Sequence, residues 1–483
     1  MATMTSTART GCSPTAVSSE SITASLPSRI AFATSATSAR VGLRPLRAFH
    51  CADFSGRHLC YDHHVNVYNT LSGAVETIEA SGRAITLYVC GITPYDTTHL
   101  GHAFTYTVAD VFVRHLESRG LTVRYVQNVT DIDDDILRKA AEVGVDWRAL
   151  GNRWTSHFIR DMQVLNVRPP DEYPRATDVI PDIVTAVGAL IERGLAYVSG
   201  GSVYYRVNAW PAFGLLSHLP RSEMLAVANE RGNRPDDPHK RDPLDFVLWQ
   251  GAAPGEPTWD SPWGPGRPGW HIECSVMSTR FLGPTLDVHG GGGDLVFPHH
   301  ECEIAQAEPV TGCSPFARVW LHTAMVEHEG AKMSKSLGNL VMVRNLLKHW
   351  SPDALRLYLG QHYYRLKWNH DPDQLADAAQ LAEKLRAAVT VSGGEGDPLH
   401  VAGAEADFTA AMNDDLSTPS ALGTLASLAD DVLAAARAGR RVEAGQALVR
   451  RLAHVFGLRL DRPDTEDRVT RGWDAHLRRF PSL

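Results

Sequence analysis

The sequence predicts an α/β fold: a parallel sheet interrupted by a long α/β insertion and followed by a helical C-terminal domain. Three patterns predict it. "RAITLYVCG", "HAFTYTVADVFVRHLESRG" and "LTVRYVQNV" read as strand, helix and strand with short connections, the βαβ unit of a parallel sheet. Strand signals return far downstream, in "TLDVHGGGGDL" and "ARVWLHTAMV". Beyond Ser351, apolar residues recur at helical spacing.

In chain order, residues 1–62 form a leader rich in Ser, Thr, Ala and Arg, with Glu20 the only acid before Asp53. Such a segment buries little core and is expected to be disordered. Its composition fits an organelle transit peptide, and also an over-extended start or a tail. The first half of the sheet domain is expected over 63–132. Its strand, Ile85 to Val89, stops at Gly91 and the turn-forming "TPYD". Val108, Phe112 and Leu116 then mark one face of a helix that Gly120 ends. Over 133–260 the pattern changes to helices such as "PDIVTAVGALIERGLAYV" and the hairpin-like "GGSVYYRV", which reads as an insertion. The sheet domain resumes over 261–350. Over 351–483, "SPDALRLYLG", "DQLADAAQLAEKLRAAV" and "SALGTLASLADDVLAAARAG" are helical, with the linker "SGGEGDP" between them.

Composition narrows the function classes. With 483 residues, 43% hydrophobic and 21% charged, the chain is long enough for two or three domains of ordinary globular character. No run of about 18 apolar residues suggests a membrane span. The net charge of -8 shows no global basic excess, so any contact with nucleic acid must use a local patch. Seven cysteines are too few for a disulfide scaffold, and an odd number suits a reducing compartment. Cys90, Cys274 and Cys302 stand close to histidines or motif residues, and these three invite a site.

Two motifs carry phosphate chemistry. "THLGH" places His99 and His102 at the start of a helix that follows a strand, where free N–H groups and the helix dipole favour anions. "GAKMSKSLGN" puts Lys332 and Lys335 on a Gly- and Ser-rich loop, two cations able to neutralise charge on a leaving pyrophosphate. A metal set is also legible. His299 and Glu303 stand four residues apart at a helix start marked by Pro298, so they share a face. With the thiolates of Cys90 and Cys274 they offer two sulfurs, one imidazole and one carboxylate, a set that suits zinc. Cys302, three residues from His299, is the rival to Glu303.

In this order, "HLGH" and "KMSKS" resemble the two signatures of the class I aminoacyl-tRNA synthetases. The finer resemblance is to the cysteinyl-tRNA synthetases and their relative, the ligase that joins cysteine to glucosaminyl-inositol in mycothiol synthesis. It is carried by "YVCGITPYDTTHLGHA", "YVQNVTDIDDDI", "KRDPLDFVLWQ", "GRPGWHIECSVMS", "HGGGGDLVFPHHECEIAQAE", "KMSKSLGN" and "DALRLYLG", over roughly residues 65 to 435. The resemblance implies a class I synthetase, Rossmann-like parallel sheet. It implies one zinc on Cys90, Cys274, His299 and Glu303, and His99, His102, Lys332 and Lys335 as the catalytic set. Trp270 would pack on the bound amino acid. Gly290 to Gly293 would let the backbone approach adenosine, and Asp294 would meet the ribose. ATP with Mg²⁺, L-cysteine and tRNA(Cys) are the implied partners, for a monomer in the cytoplasm, or in an organelle if the leader is a transit peptide.

The acceptor divides the motifs. "GITPYD" and "HAFTY" look like the small-amine ligase, whereas Glu303, "RATDVIPDIV" and "KMSKSLGN" look like the tRNA enzymes. The tail after Leu458 is short and shows no strand signals, so a small anticodon-reading module is expected to be reduced or missing. From Arg437 to Arg479 stand eleven arginines and no lysine against six acids, with Trp473 and Phe480 interleaved or adjacent. Such an end fits either RNA phosphates and bases or a solvated helical face.

Overall fold

The structure, a computed structural model, describes residues 64–80, 82–95, 98–333, 337–461 and 467–480. The leader over 1–62 and Lys335 lie outside them. Four strands, β1 (Ile85–Ile92), β2 (Val123–Val129), β3 (Leu286–Gly292) and β4 (Ala317–Thr323), form one sheet in the order β4-β3-β1-β2, and every pair in it is parallel. Helix α1 (Leu100–Ser118) joins β1 to β2. The chain then leaves the sheet for about 150 residues before β3 returns to the other side of β1. That reversal is a topological switch point, where the carboxyl ends of parallel strands leave a crevice.

The long excursion holds helices Asp134–Val143, α2 (Trp147–Val164) and Ile180–Glu192, and a four-stranded antiparallel sheet between Ala196 and Pro268. Helix α3 (Trp270–Leu282) leads back into β3, and α4 (Glu301–Thr311) joins β3 to β4. Short strands β5 (Val326–His328) and β6 (Ala331–Lys332) form a hairpin leading to the KMSKS loop. After that loop come α5 (Val343–Leu346), α6 (Pro352–Gly360) and four longer helices spanning Pro372 to Val455. The last element, α7 (Asp467–Leu477), lies back against α2. Two details differ from the sequence reading: β1 runs through Gly91 to Ile92, and the "SGGEGDP" linker contributes Gly396–Pro398 to a pairing with Arg440–Arg441.

Period-two alternation decides which side of the sheet each residue of β1 serves. Ile85, Leu87 and Val89 belong to the core shared with α1 and the C-terminal helices. Tyr88 and Cys90 belong to the core beneath α3 and the inserted sheet. A buried charge cluster binds the first core: Asp110 of α1 meets Arg114 at 3.0 Å and also Arg356 of α6, all three fully buried. The two guanidinium groups reach the carbonyls of Asn166 and Leu165, both at 2.8 Å, so the helical domain is tied to the end of α2 as well as to α1. No helix among the described residues is long and apolar enough to cross a membrane.

Candidate active site

The pairing of β1 with β2 shifts register between Val89 and Ile92, a bulge that re-aims Cys90 at the strand's carboxyl end. Only glycine fits next to it, since a Cβ on Gly91 would stand 1.6 Å from the Asn128 carbonyl oxygen. Gly91 N–H instead donates to Asn128 Oδ1 at 2.7 Å. Cys274, early in α3, faces Cys90 from above the sheet. An irregular turn over Val296–His300 precedes α4 and brings His299 and Glu303 to the same point. The donor atoms of Cys90, Cys274, His299 and Glu303 all lie within 4.8 Å of one another, and all four residues are buried. Cys90 Sγ is 3.5 Å and His299 Nε2 3.2 Å from Glu303 Oε1.

The donor set fits a soft-to-borderline divalent cation. Burial pushes the Cys90 thiol and the Glu303 carboxyl well above their ordinary ranges in the bare protein. A cation among them supplies the opposite charge that their ionised forms lack. His299 turns Nδ1 to His271 Nδ1 at 2.8 Å, leaving Nε2 aimed at the group, the outer-shell arrangement that fixes a ligand ring. Cys302 is buried too, yet it belongs to neither potential donor group and instead lines the neighbouring cavity.

Sequence reasoning missed three histidines. His289 Nε2 is 3.0 Å from Glu303 Oε2, and His300 Nε2 is 3.3 Å from Cys90 Sγ. His322 continues the chain, 2.7 Å from His300 Nδ1 and 2.7 Å from Thr70 Oγ1. Cys90, His289, His300 and Glu303 thus form a second, overlapping donor group. The signal was present: "DVHGG", "PHHEC" and "WLHTA" each put a histidine in an apolar strand or beside a ligand.

A cavity of about 770 Å³ opens over this cluster. Cys90, His99, His102, Trp270, Gly292 and Asp294 line it, and it extends to Arg231, Asn233 and Lys240 of the inserted segment. Trp270 stacks on His299 with ring centroids 4.2 Å apart. His99 caps α1, its Nδ1 accepting from Gly101 N–H at 3.1 Å, which leaves the neutral ring's proton on Nε2. Its ring stacks on His102 at 3.8 Å. Backbone bonds pin this segment to the far side of the KMSKS loop: Leu100 N–H donates to Val341 O at 2.8 Å and Val343 N–H to Thr98 O at 3.1 Å. Lys332 stands half exposed with Nζ 3.3 Å from Asp294 Oδ2, so the two approach each other across the cavity rim. Gly290 and Gly291 lie deeper in β3; a Cβ on Gly291 would crowd His300 at 3.0 Å.

The C-terminal aromatics take a different place from the one an RNA-binding reading of them requires. Trp473 and Phe480 are each 1% exposed. Trp473 Nε1 donates to Val167 O at 2.8 Å, and both rings pack on Tyr173. No base can stack there.

Residues 76–380 match the family described as tRNA synthetases class I (C) catalytic domain, and residues 407–461 match the DALR domain. The L-cysteine:1D-myo-inositol 2-amino-2-deoxy-alpha-D-glucopyranoside ligase of Parafrankia sp. (strain EAN1pec) is 46% identical over 377 residues, 78% of this chain and 84% of that one. The cysteine--tRNA ligase of Dehalococcoides mccartyi (strain ATCC BAA-2266 / KCTC 15142 / 195) is 43% identical over 403 residues, covering 82% and 86%. Among solved structures, Mycobacterium tuberculosis methionyl-tRNA synthetase in complex with methionyl-adenylate superposes with a TM-score of 0.55 at 16% identity, covering 81% of this chain and 94% of that one, a likeness of fold.

Proposed function

Because the chain belongs to the family of class I tRNA synthetase (C) catalytic domains, we propose that it activates L-cysteine with ATP and passes the cysteinyl group to tRNA(Cys). The observation that carries the first step is the buried four-donor cluster at the floor of a cavity whose rim holds His99 and His102. Cys90, Cys274, His299 and Glu303 would hold zinc, which when bound accepts a thiolate readily and a hydroxyl poorly, separating cysteine from serine. Trp270, stacked on His299, walls the amino-acid side. The cysteine carboxylate oxygen bonds to the α-phosphorus of ATP as the bond to pyrophosphate breaks, giving cysteinyl adenylate; Mg²⁺ accompanies the nucleotide. His99 Nε2–H and His102 donate to phosphate oxygens, and Lys332 and Lys335 neutralise the departing pyrophosphate. Asp294, which lines the same cavity, would meet the ribose once Lys332 turns to phosphate.

Pyrophosphate should exchange into ATP when cysteine is supplied and far more slowly with serine; equal rates would end the thiol-reading assignment. Transfer to tRNA is supported by Glu303, "RATDVIPDIV" and "KMSKSLGN", which follow the tRNA enzymes. One observation favours a second reading, a small amine such as glucosaminyl-inositol as acceptor: the buried Trp473 and Phe480 remove the aromatic contacts expected of an RNA-binding end. Both acceptors use the same adenylate. Offering labelled cysteine to tRNA(Cys) and glucosaminyl-inositol together separates them, and label on the amine alone would replace the first reading with the second.

A further inference from the structure

Most arginines of the C-terminal stretch are accounted for inside the fold. Arg450 pairs with Asp461, Arg451 with Glu405, Arg468 with Glu117 and Arg479 with Asp178, while Arg440 and Arg441 bond backbone carbonyls. Arg471 and Arg478 are exposed, and their guanidinium groups meet no partner among the described residues. They stand seven residues apart, so they fall on one stripe, about 150° around the helix from the buried Trp473.

Helix α7 runs antiparallel to α2. Ser156 Oγ donates to Phe480 O at 2.8 Å, and seven residues on, Gln163 Nε2 donates to Asp474 Oδ1 at 2.8 Å. On α2, Arg153 and Arg160 are likewise seven residues apart, exposed and without a partner among the described residues. They lie about 60° past the line of Ser156 and Gln163, on the side away from buried Phe158 and Met162. Arg471 and Arg478 lie a similar angle past Asp474. In antiparallel helices those two displacements open to the same solvent side, so the four arginines line opposite banks of one seam, along roughly 18 Å at 1.5 Å per residue.

The strip continues toward the active site. His157 lies between the α2 arginines and the α5 side, its pKa pulled down by burial and then by Arg344, Arg160 and Arg153. Arg344 stacks over Trp154, 5.3 Å from its ring. It follows Met342 by two residues, and Met342 bridges to His99. Carboxylates lie nearby as well: among the described residues, Asp474 accepts from Gln163, and Asp161 lies toward Thr98 and Arg344. Helix α7 is outside both family matches, which end at residues 380 and 461.

We propose that the α2/α7 seam, with Arg153 and Arg160 on one bank and Arg471 and Arg478 on the other, docks the phosphate backbone of the tRNA whose end is charged at the active site. The proposal rests on the tRNA reading of the acceptor. A row of unpaired guanidinium groups is complementary to a polyanion, and the burial of Trp473 and Phe480 leaves phosphate contact, with no base stacking, as its mode of binding.

The test is the full-length quadruple variant R153Q/R160Q/R471Q/R478Q against wild type, using a tRNA(Cys) transcript. Cysteine-dependent pyrophosphate exchange should be unchanged. The KM for tRNA should rise about tenfold or more with little change in kcat, and the slope of log affinity against log salt should shrink by about 3 to 4. If charging is intact in wild type and neither KM nor slope moves in the variant, the seam proposal is overturned while the tRNA reading stands. If wild type binds the transcript through these arginines yet charges only an amine, the acceptor reading falls and the proposal falls with it, because the bound tRNA is then not the one charged. Wild type that neither binds nor charges the transcript overturns both.

Discussion

At the residue scale, the environment of each sulfur decides its role. Cys90 and Cys274 face each other between sheet and helix with His299 and Glu303 at hand, whereas Cys302, although three residues from His299, is excluded from either donor group. Cys274→Ala should therefore lose one zinc per chain by metal analysis and with it most cysteine-dependent exchange, while Cys302→Ala should retain its metal. Zinc retained by the first and lost by the second would transfer the ligand role to Cys302. The i, i+4 spacing of His299 and Glu303 was enough to pair them from sequence, because helix geometry is local. His289 and His300 were not legible as partners of Cys90, nor His322 as a partner of His300. Their nearness follows from β3 pairing beside β1, a contact across some 200 residues that no local spacing encodes.

At the element scale, the last helix behaves as a structural clasp. Val469, Trp473 and Phe480 are buried on α2 and the Val167–Tyr173 segment, and a Cβ on Gly472 would stand 2.4 Å from Pro169 Cγ. Trp473→Ala should cost about 3–5 kcal/mol, read as a lower urea midpoint, because it leaves a cavity and orphans the Val167 carbonyl. A change below about 0.5 kcal/mol would mean that α7 is only loosely seated. Helix α1 carries a different load, since Asp110 balances two buried guanidinium groups. Asp110→Asn should destabilise by about 3–5 kcal/mol, since the arginines would keep their burial and lose the carboxylate that contacts both.

Across the whole molecule, buried titratable groups link stability to pH. His115 of α1 is buried against Asn413 of the helical domain, 2.8 Å from its Oδ1, and burial lowers its pKa to about 4. Its contribution is full above the unfolded value near 6.5 and is lost as pH falls toward 4, since there the unfolded chain takes up the proton first; a gap of that size is roughly 3 kcal/mol. Asp131 acts with the opposite sign. Burial raises its pKa to about 6, so its ionisation costs stability as pH rises from about 4 to about 6. The advantage of wild type over His115→Asn in denaturant midpoint should accordingly shrink between pH 6.5 and 4.5. An advantage constant with pH would show that His115 titrates alike in both states.

The elements of the sheet, the order of the motifs and the pairing of His299 with Glu303 are legible in the chain's local patterns, because strand alternation, helix spacing and turn residues act over a few neighbours. The charge of the Arg437–Arg479 stretch was legible in the same way. Its fate depended on long-range packing. Packing turned Trp473 and Phe480 inward, ion pairs consumed Arg450, Arg451, Arg468 and Arg479, and the antiparallel seat of α7 on α2 set Arg471 and Arg478 opposite Arg153 and Arg160. The same distinction holds at the active site. One strand places Cys90 at its end, but its register beside β3 and the glycine-dependent bulge before Asn128 decide which histidines it meets, since pairing between distant segments depends on the whole folded core.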